Sequence, residues 1–328
     1  MLNLLIEMNP DRVTAHKLNN LLQSIMLLAG MAALLGLLGW LLAGIKGVIW
    51  AGIIGVVFLL VSPRASPRLV FKLSGARPLS MAEAPGLYAL VKTLALRARL
   101  PTLPQLYYVP TQAMNAFTVG NRRQAMIAIT DGLLRGLTRR ELTGVLAHEV
   151  SHVDNNDMWV MTLADTVNRL TSSFSLFGQV LLFINLPLIL LGKSGFSWLA
   201  ILILVFAPTL SVLLQLALSR TREFDADLGA AQITHDPLGL ASALKKLHHY
   251  HSGSLRRALV PGRPIPNSSM LRTHPKSEER IRRLVSLAER QPGATESFLP
   301  IDEDLVAFAP RLSLGPRLPQ WFMGWHGH

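Results

Sequence analysis

Four stretches of this 328-residue chain run without an ionisable side chain. Residues 21–45 form the first, and after Lys46 residues 47–61 continue in the same manner until Ser62-Pro63. Residues 170–192 and, beyond Lys193, residues 194–219 make a second pair. A spanning helix needs roughly 20 apolar residues, because the hydrocarbon layer is about 30 Å thick and each residue rises about 1.5 Å. The first and fourth runs meet that length outright. The second is short, and the third is diluted by Thr171, Ser172, Ser173, Ser175, Gln179 and Asn185. For those two, a buried core helix or a re-entrant segment competes with a full crossing. Only Lys46 divides the first pair and Lys193-Ser194-Gly195 the second, so the pattern favours two hairpins. Pro187 and Pro208 predict kinks in the second, since proline removes a backbone donor and clashes with the preceding turn.

Composition agrees. Half the residues are hydrophobic, only 16% are charged, and the mean hydropathy is +0.35. Global disorder is excluded, and an ordinary soluble enzyme is disfavoured, since soluble domains carry about 25% charged residues. There is no cysteine, which removes disulfides, thiolate nucleophiles and every Cys-containing zinc site. Any metal must be held by His, Asp or Glu. The net charge of +12 reads as loops facing anionic lipid. The basic residues lack aromatic interleaving, which argues against nucleic acid, and no Gly-rich phosphate loop suggests a nucleotide. No feature sets an oligomeric state.

Basic residues in short flanks orient the runs. Arg12 and Lys17 precede the first. Arg64, Arg68, Lys72 and Arg77 follow the second, and Arg220 and Arg222 follow the fourth. Both termini and the polar segments are therefore expected in the cytoplasm. The first run is too long for a cleavable signal sequence. The expected organisation is a lead over 1–20, a membrane hairpin over 21–63, a polar segment over 64–169, a second hairpin over 170–219, a polar segment over 220–298 and a tail over 299–328. The two polar segments are expected to fold together. Helices are predicted over 82–100, from Thr138 onward, over 221–233, 238–249 and 277–290. A strand is predicted over 105–109 and a β-hairpin over 116–119 and 124–130. Residues 252–269, rich in Gly, Pro, Arg and Ser, read as a mobile loop. Thr138-Arg139-Arg140-Glu141 is a capping box, in which the Thr hydroxyl and Glu carboxylate satisfy orphan backbone donors.

Inside the helix that this box opens stands His148-Glu149-Val150-Ser151-His152, an H-E-x-x-H pattern. Residues four apart share a helical face, so two imidazoles can bind one tetrahedral ion. Glu149 lies about 100° round the helix from His148. It can reach a water on the ion without ligating the ion, and so act as general base. A third ligand is needed. Glu223 and Asp227, also four apart, share a face: Glu223 can ligate while Asp227 accepts a hydrogen bond from the outer nitrogen of a ligating histidine. Asp225 reads as solvated on the other face; Asp154 and Asp157, beyond His152, read first as a solvated face and otherwise as carboxylates behind a ligating histidine. His248, His249 and His251 point apart and make no second site, and His326 and His328 belong to the tail.

His148–His152, then Arg222-Glu223-Phe224-Asp225-Ala226-Asp227 after a hydrophobic hairpin, then Thr273-His274-Pro275 resemble the HtpX-like membrane metalloproteases, gluzincins related to the CAAX prenyl proteases. Asn115-Ala116-Phe117 also matches that group, and the resemblance covers roughly residues 80–290. It implies a mainly α integral membrane protein with four transmembrane helices in two hairpins. To these it adds a mostly helical gluzincin-type catalytic domain with a small β-sheet. It further implies one Zn²⁺ per chain on His148, His152 and Glu223, Glu149 as general base, and Asp227 as the carboxylate behind a ligating histidine. Asn115, Ala116 and Phe117 would lie on a substrate-binding edge strand, and His274 near the developing oxyanion. Read from the residues alone, Asn115 fits a turn and His274 fits a cap for the helix that follows. The implied activity is cytoplasm-facing endopeptidase cleavage of membrane or misfolded proteins, in quality control at the bacterial inner membrane. A membrane-bound zinc-binding adaptor or chaperone that holds clients without cutting is the competing function. It leaves Glu149 without a use. An incidental motif in a transporter is disfavoured by the lack of ionisable groups in the runs. The lead and the tail after Arg290 depart from the family pattern.

Overall fold

The structure, a computed structural model, describes residues 10–61, 74–191, 198–258 and 277–289. Helix α1 (Pro10–Val61) carries both runs of the first pair. It does not run straight. Ala43 (φ −148°, ψ 23°) and Gly44 (φ 59°, ψ −144°) leave helical geometry. A Cβ placed on Gly47 would lie 1.9 Å from the Gly39 carbonyl oxygen, whereas eight residues of straight helix span about 12 Å. The axis therefore turns sharply here. Glycine is needed twice, for the positive φ of Gly44 and for the backbone contact at Gly47.

Helices α5 (Asp157–Leu190) and α6 (Trp198–Thr234) hold the second pair. Ala164 clusters with Leu218, Ser175 Oγ donates to the Leu204 carbonyl, and Gly178 faces the Leu204 side chain. Residue number rises along one helix as it falls along the other, so the two are antiparallel. Helix α1 packs on both, with Met31 against Ala164 and Leu218 and with Leu34 and Leu38 against Leu204 and Ala207. Both helices continue through Pro187 and Pro208. Among the described residues, three helices are long and apolar enough to cross a membrane, over Leu18–Leu60, Asp157–Pro187 and Trp198–Thr234. Their outward faces are apolar: Phe183 is 78% exposed and Trp198 79%. Water does not tolerate such a surface over three helices, whereas lipid does. This is a membrane protein.

The polar part builds a mixed sheet of β1 (Arg77–Pro78), β2 (Gln105–Val109), β3 (Ala116–Asn121) and β4 (Gln124–Thr130) in the order β1-β2-β4-β3. Strand β2 is parallel to β4, and the outer pairs are antiparallel. Helix α2 (Pro85–Arg97) begins later than the predicted 82, with proline in its first turn, where no backbone donor is needed. A short α3 (Asp131–Gly136) leads to α4 (Arg139–Asp154), and α7 (Pro237–Ala258) and α8 (Ser277–Glu289) follow the membrane helices. One core unites them: Leu87 and Leu94 of α2, Leu106, Ile127 and Ile129 of the sheet, Leu146 and Val150 of α4, Leu240 of α7 and Leu284 of α8.

Two sequence expectations change. Helix α7 runs to Ala258 and takes up the start of the predicted loop over 252–269, because Leu255 to Ala258 are good helix formers and Gly253 alone costs only about 1 kcal/mol. Residues 221–233 form no separate helix. They are the end of α6, which passes from its apolar run into the polar domain without a break. The rest of the predicted loop, His274 and the tail lie outside the described residues.

The capping box that starts α4 is complete. Thr138 accepts from the Glu141 backbone while Glu141 accepts from that of Thr138. Glu141 also accepts from Ser242 and Lys246 of α7, each at 2.6 Å. Burial alone would push its carboxyl up. The bonds from Lys246, Ser242 and Thr138 outweigh burial and bring it down to about 2 from 4.5. A depressed carboxyl stabilises the fold above its unfolded pKa, and that contribution is lost as pH falls through the folded value. Glu141→Gln is expected to destabilise the protein by about 2–3 kcal/mol at pH 7. The gap to wild type should close between pH 4.5 and 2. Thermal melts of helicity in detergent at stepped pH measure it.

Candidate metal centre

Helix α4 carries His148, Glu149 and His152 on its buried side, with His148 and Glu149 each 3% exposed. Helix α6 brings Glu223 and Asp227 to the same place. The two imidazoles turn the same nitrogen inward, and their Nε2 atoms stand 3.1 Å apart. A carboxylate oxygen of Glu223 lies 3.4 Å from His148 Nε2 and the other lies 3.6 Å from His152 Nε2. Ligands about 2.0–2.1 Å from a tetrahedral zinc stand about 3.3 Å from one another. The two nitrogens have that spacing, each Glu223 oxygen lies close to it from one of them, and one donor atom from each residue falls within 4.8 Å of the others, so the residues fit a small divalent cation. Among the described residues, His148, His152 and Glu223 are the group that meets this condition.

The outer nitrogens are held in a matching way. His148 Nδ1 lies 3.0 Å from Asp227 Oδ1, and His152 Nδ1 lies 2.7 Å from Asp157 Oδ2. Such bonds fix the tautomer that presents Nε2 to an ion. The expectation of a solvated face at Asp157 is therefore corrected: the residue is 3% exposed. Helix α4 ends at Asp154 and is capped by Asn155, and Asn156 takes a left-handed φ of 55°. Helix α5 starts at Asp157 in a new direction, so extrapolating the face of α4 fails. Asp154 instead pairs with Arg122 at 2.9 Å. Asp225, also expected in solvent, is buried between Arg222, at 2.7 Å, and Asn20.

Arg280 of α8 carries no sequence signal of its own. It is 2% exposed and bonds Asp227 through two nitrogens at 2.7 Å. It also meets Glu223 at 2.8 Å and lies 3.4 Å from His148 Nε2. Five buried carboxylates (Glu149, Asp157, Glu223, Asp225 and Asp227) thus face two buried guanidiniums, Arg222 and Arg280. Three negative charges are in excess, and a divalent cation would offset most of them. Burial disfavours a charged His148, yet its bonds to Asp227 and Glu223 outweigh burial and push it up to about 9. A proton thus takes part of the place that a cation would fill.

Glu149 points to the sheet, where Thr118 Oγ1 of β3 donates to its Oε2 at 2.6 Å. Thr118 was missed, although alternation along β3 would have found it. Phe117 and Val119 pack with Val109 and Ala128 on one face, which leaves Ala116 and Thr118 for the other. Among the described residues, strand β3 is the last of its sheet and pairs with β4 alone. Asn115 precedes it, 9% exposed, with its backbone N–H and carbonyl both bonded to Thr130 Oγ1. Ala116 lies in the main core, and Phe117 is half-buried on the opposite face of the sheet.

The chain is similar to known proteins over most of its length. The sequence profile of Peptidase family M48 matches residues 82–288. The Protease HtpX homolog of Paraburkholderia phytofirmans is 34% identical over 282 residues, which cover 82% of this chain and 97% of that protein. That of Burkholderia mallei matches with the same identity and the same coverage. Among solved structures, S. mikatae Ste24p aligns with a TM-score of 0.40 and 20% identity, over 82% of this chain and 66% of that one. The chain belongs to peptidase family M48, among its HtpX-like membrane metalloproteases.

Proposed function

We propose that the protein is a zinc-dependent endopeptidase of the bacterial inner membrane that hydrolyses peptide bonds of membrane or misfolded proteins at the cytoplasmic face, in quality control. The convergence of His148, His152 and Glu223 at ligand spacing carries this reading, with Glu149 alongside but outside the set. His148, His152 and Glu223 hold the ion, and Asp227 orients His148. When bound, zinc supplies Lewis acidity toward water and the scissile carbonyl. Glu149 takes a proton from the attacking water and delivers it to the leaving nitrogen. The bond from Thr118 occupies Oε2 and aims the carboxylate. The guanidinium of Arg280, bonded to Asp227 and Glu223, holds both carboxylates in place. His274 is assigned as a donor to the carbonyl oxygen as it becomes negative, on the strength of the family resemblance. An extended peptide adds to the outer edge of β3 beside Asn115, Ala116 and Phe117, with main-chain bonds that impose little sequence preference.

The placement takes the runs as four passes in two hairpins, a reading supported by the turn of the α1 axis at Ala43–Gly44 and by the antiparallel α5 and α6. The basic flanks then lie on the side of the polar domain.

Several measurements test this reading. Glu149→Gln is expected to keep one zinc per chain and lower casein cleavage by roughly 10²–10⁴-fold; normal cleavage would remove the base from Glu149. A zinc-binding adaptor would show zinc and no cleavage in wild type. Metal uptake requires a neutral His148, whose folded pKa lies near 9. Zinc binding at pH 7 should therefore release about one proton and weaken as pH falls, as calorimetry in buffers of different ionisation enthalpy would show. Because the chain has no cysteine, single Lys46→Cys and Lys193→Cys variants can be labelled selectively. Both should react with an impermeant maleimide added outside spheroplasts.

A further inference from the structure

The two imidazoles are supported in parallel fashion. Behind His148 stand Asp227 and then the buried Arg280. Behind His152 stand Asp157 and then the buried Arg222, whose Nη1 lies 3.5 Å from Asp157 Oδ1. The second relay does not end there. Arg222 Nη2 donates to Ser24 Oγ at 2.6 Å and to the Asn20 carbonyl at 3.2 Å, both on α1, and pairs with Asp225 at 2.7 Å. Asn20 Nδ2 donates to Asp225 as well. A continuous path of buried polar contacts therefore leads from a metal-facing ring to the first membrane helix.

Its parts belong to four elements: the end of α4, the start of α5, the part of α6 next to Glu223 and the polar end of α1. None of them closes the path alone. A guanidinium 7% exposed is tolerated only while its partners stay in place. If α1 shifts, Arg222 loses Ser24 and Asn20, its hold on Asp157 loosens, and His152 loses the bond that fixes its tautomer. We infer that Asp157 and Arg222 are positioning residues of the metal site, and that the docking of α1 at Asn20 and Ser24 sets how firmly His152 grips the ion. The inference rests on the zinc reading above. Its consequence is that a polar domain separated from α1 holds metal poorly even when folded, which ties the activity to the assembled membrane bundle.

The test uses the full chain in detergent, with zinc affinity read by competition against a chromophoric chelator and geometry read from the visible spectrum of the Co²⁺-substituted protein. Asp157→Ala is expected to lower zinc affinity about tenfold to a hundredfold and to change the Co²⁺ spectrum, with Asp157→Glu recovering part of both. Arg222→Met should act in the same direction, and the double variant should lose less than the two losses combined. Ser24→Ala touches no ligand, keeps the charges in place and guards against misfolding of the harsher variants. It should weaken zinc binding by a few-fold, with helicity and elution volume unchanged. Zinc affinity within twofold of wild type and an unchanged Co²⁺ spectrum in both Asp157→Ala and Ser24→Ala overturn the inference. Wild-type protein that takes up no zinc overturns the underlying metal reading instead, and the inference with it.

Discussion

Buried charge that apolar packing cannot tolerate organises the polar half of this molecule. Glu149, Asp157, Glu223, Asp225 and Asp227 are all withdrawn from water within one region, and isolated carboxylates there would be strongly destabilising. They persist because each has a partner: Thr118 for Glu149, His152 for Asp157, Arg280 for Glu223 and Asp227, Arg222 for Asp225. These partners come from a strand, from α4, α6 and α8. The elements are held in register by this need as much as by the leucine core beneath them. The remaining excess of negative charge, beside inward-facing imidazoles, is the electrostatic signature of a cation site.

Continuity of α6 sets where that site lies. Glu223 is four residues past the end of the uncharged run at Ser219, about 6 Å along a helix that does not break. Helix α5 enters the domain by the same kind of uninterrupted stalk. The centre is therefore fixed close to the bilayer surface by rigid elements. On the proposed reading, substrates are met where membrane segments emerge, and soluble proteins reach the site only if they approach the lipid.

What was legible in the sequence followed from local rules. The capping box at Thr138 and Glu141 gave the start of α4 to the residue, and 3.6-residue periodicity then put His148 and His152 on one face. Charge-free length gave the membrane helices. What was not legible depends on changes of direction or on distant partners. Asp157 and Asp154 are three apart and look alike in sequence, yet the left-handed Asn156 between them sends one into the site and the other to Arg122. Arg222 looked like one more basic flank residue; only the approach of Ser24, far away in the chain, shows it to be buried. Arg280 is one of several arginines in Arg280-Ile281-Arg282-Arg283, and only its position on the core-facing side of α8 separates it from the others.

The bond between Thr118 and Glu149 links the sheet to the chemistry. It comes from a strand that, among the described residues, has a partner on one side, so on the proposed reading the element that binds an extended peptide also holds the general base. A peptide that adds to β3 lies, on the proposed reading, along the strand whose Thr118 already holds the Glu149 carboxylate. Selectivity for extended, unfolded segments then needs no side-chain pocket, because folded chains cannot supply the missing strand. On the proposed reading, a protease built in this way distinguishes clients by conformation, because an extended segment can complete the sheet and a folded one cannot.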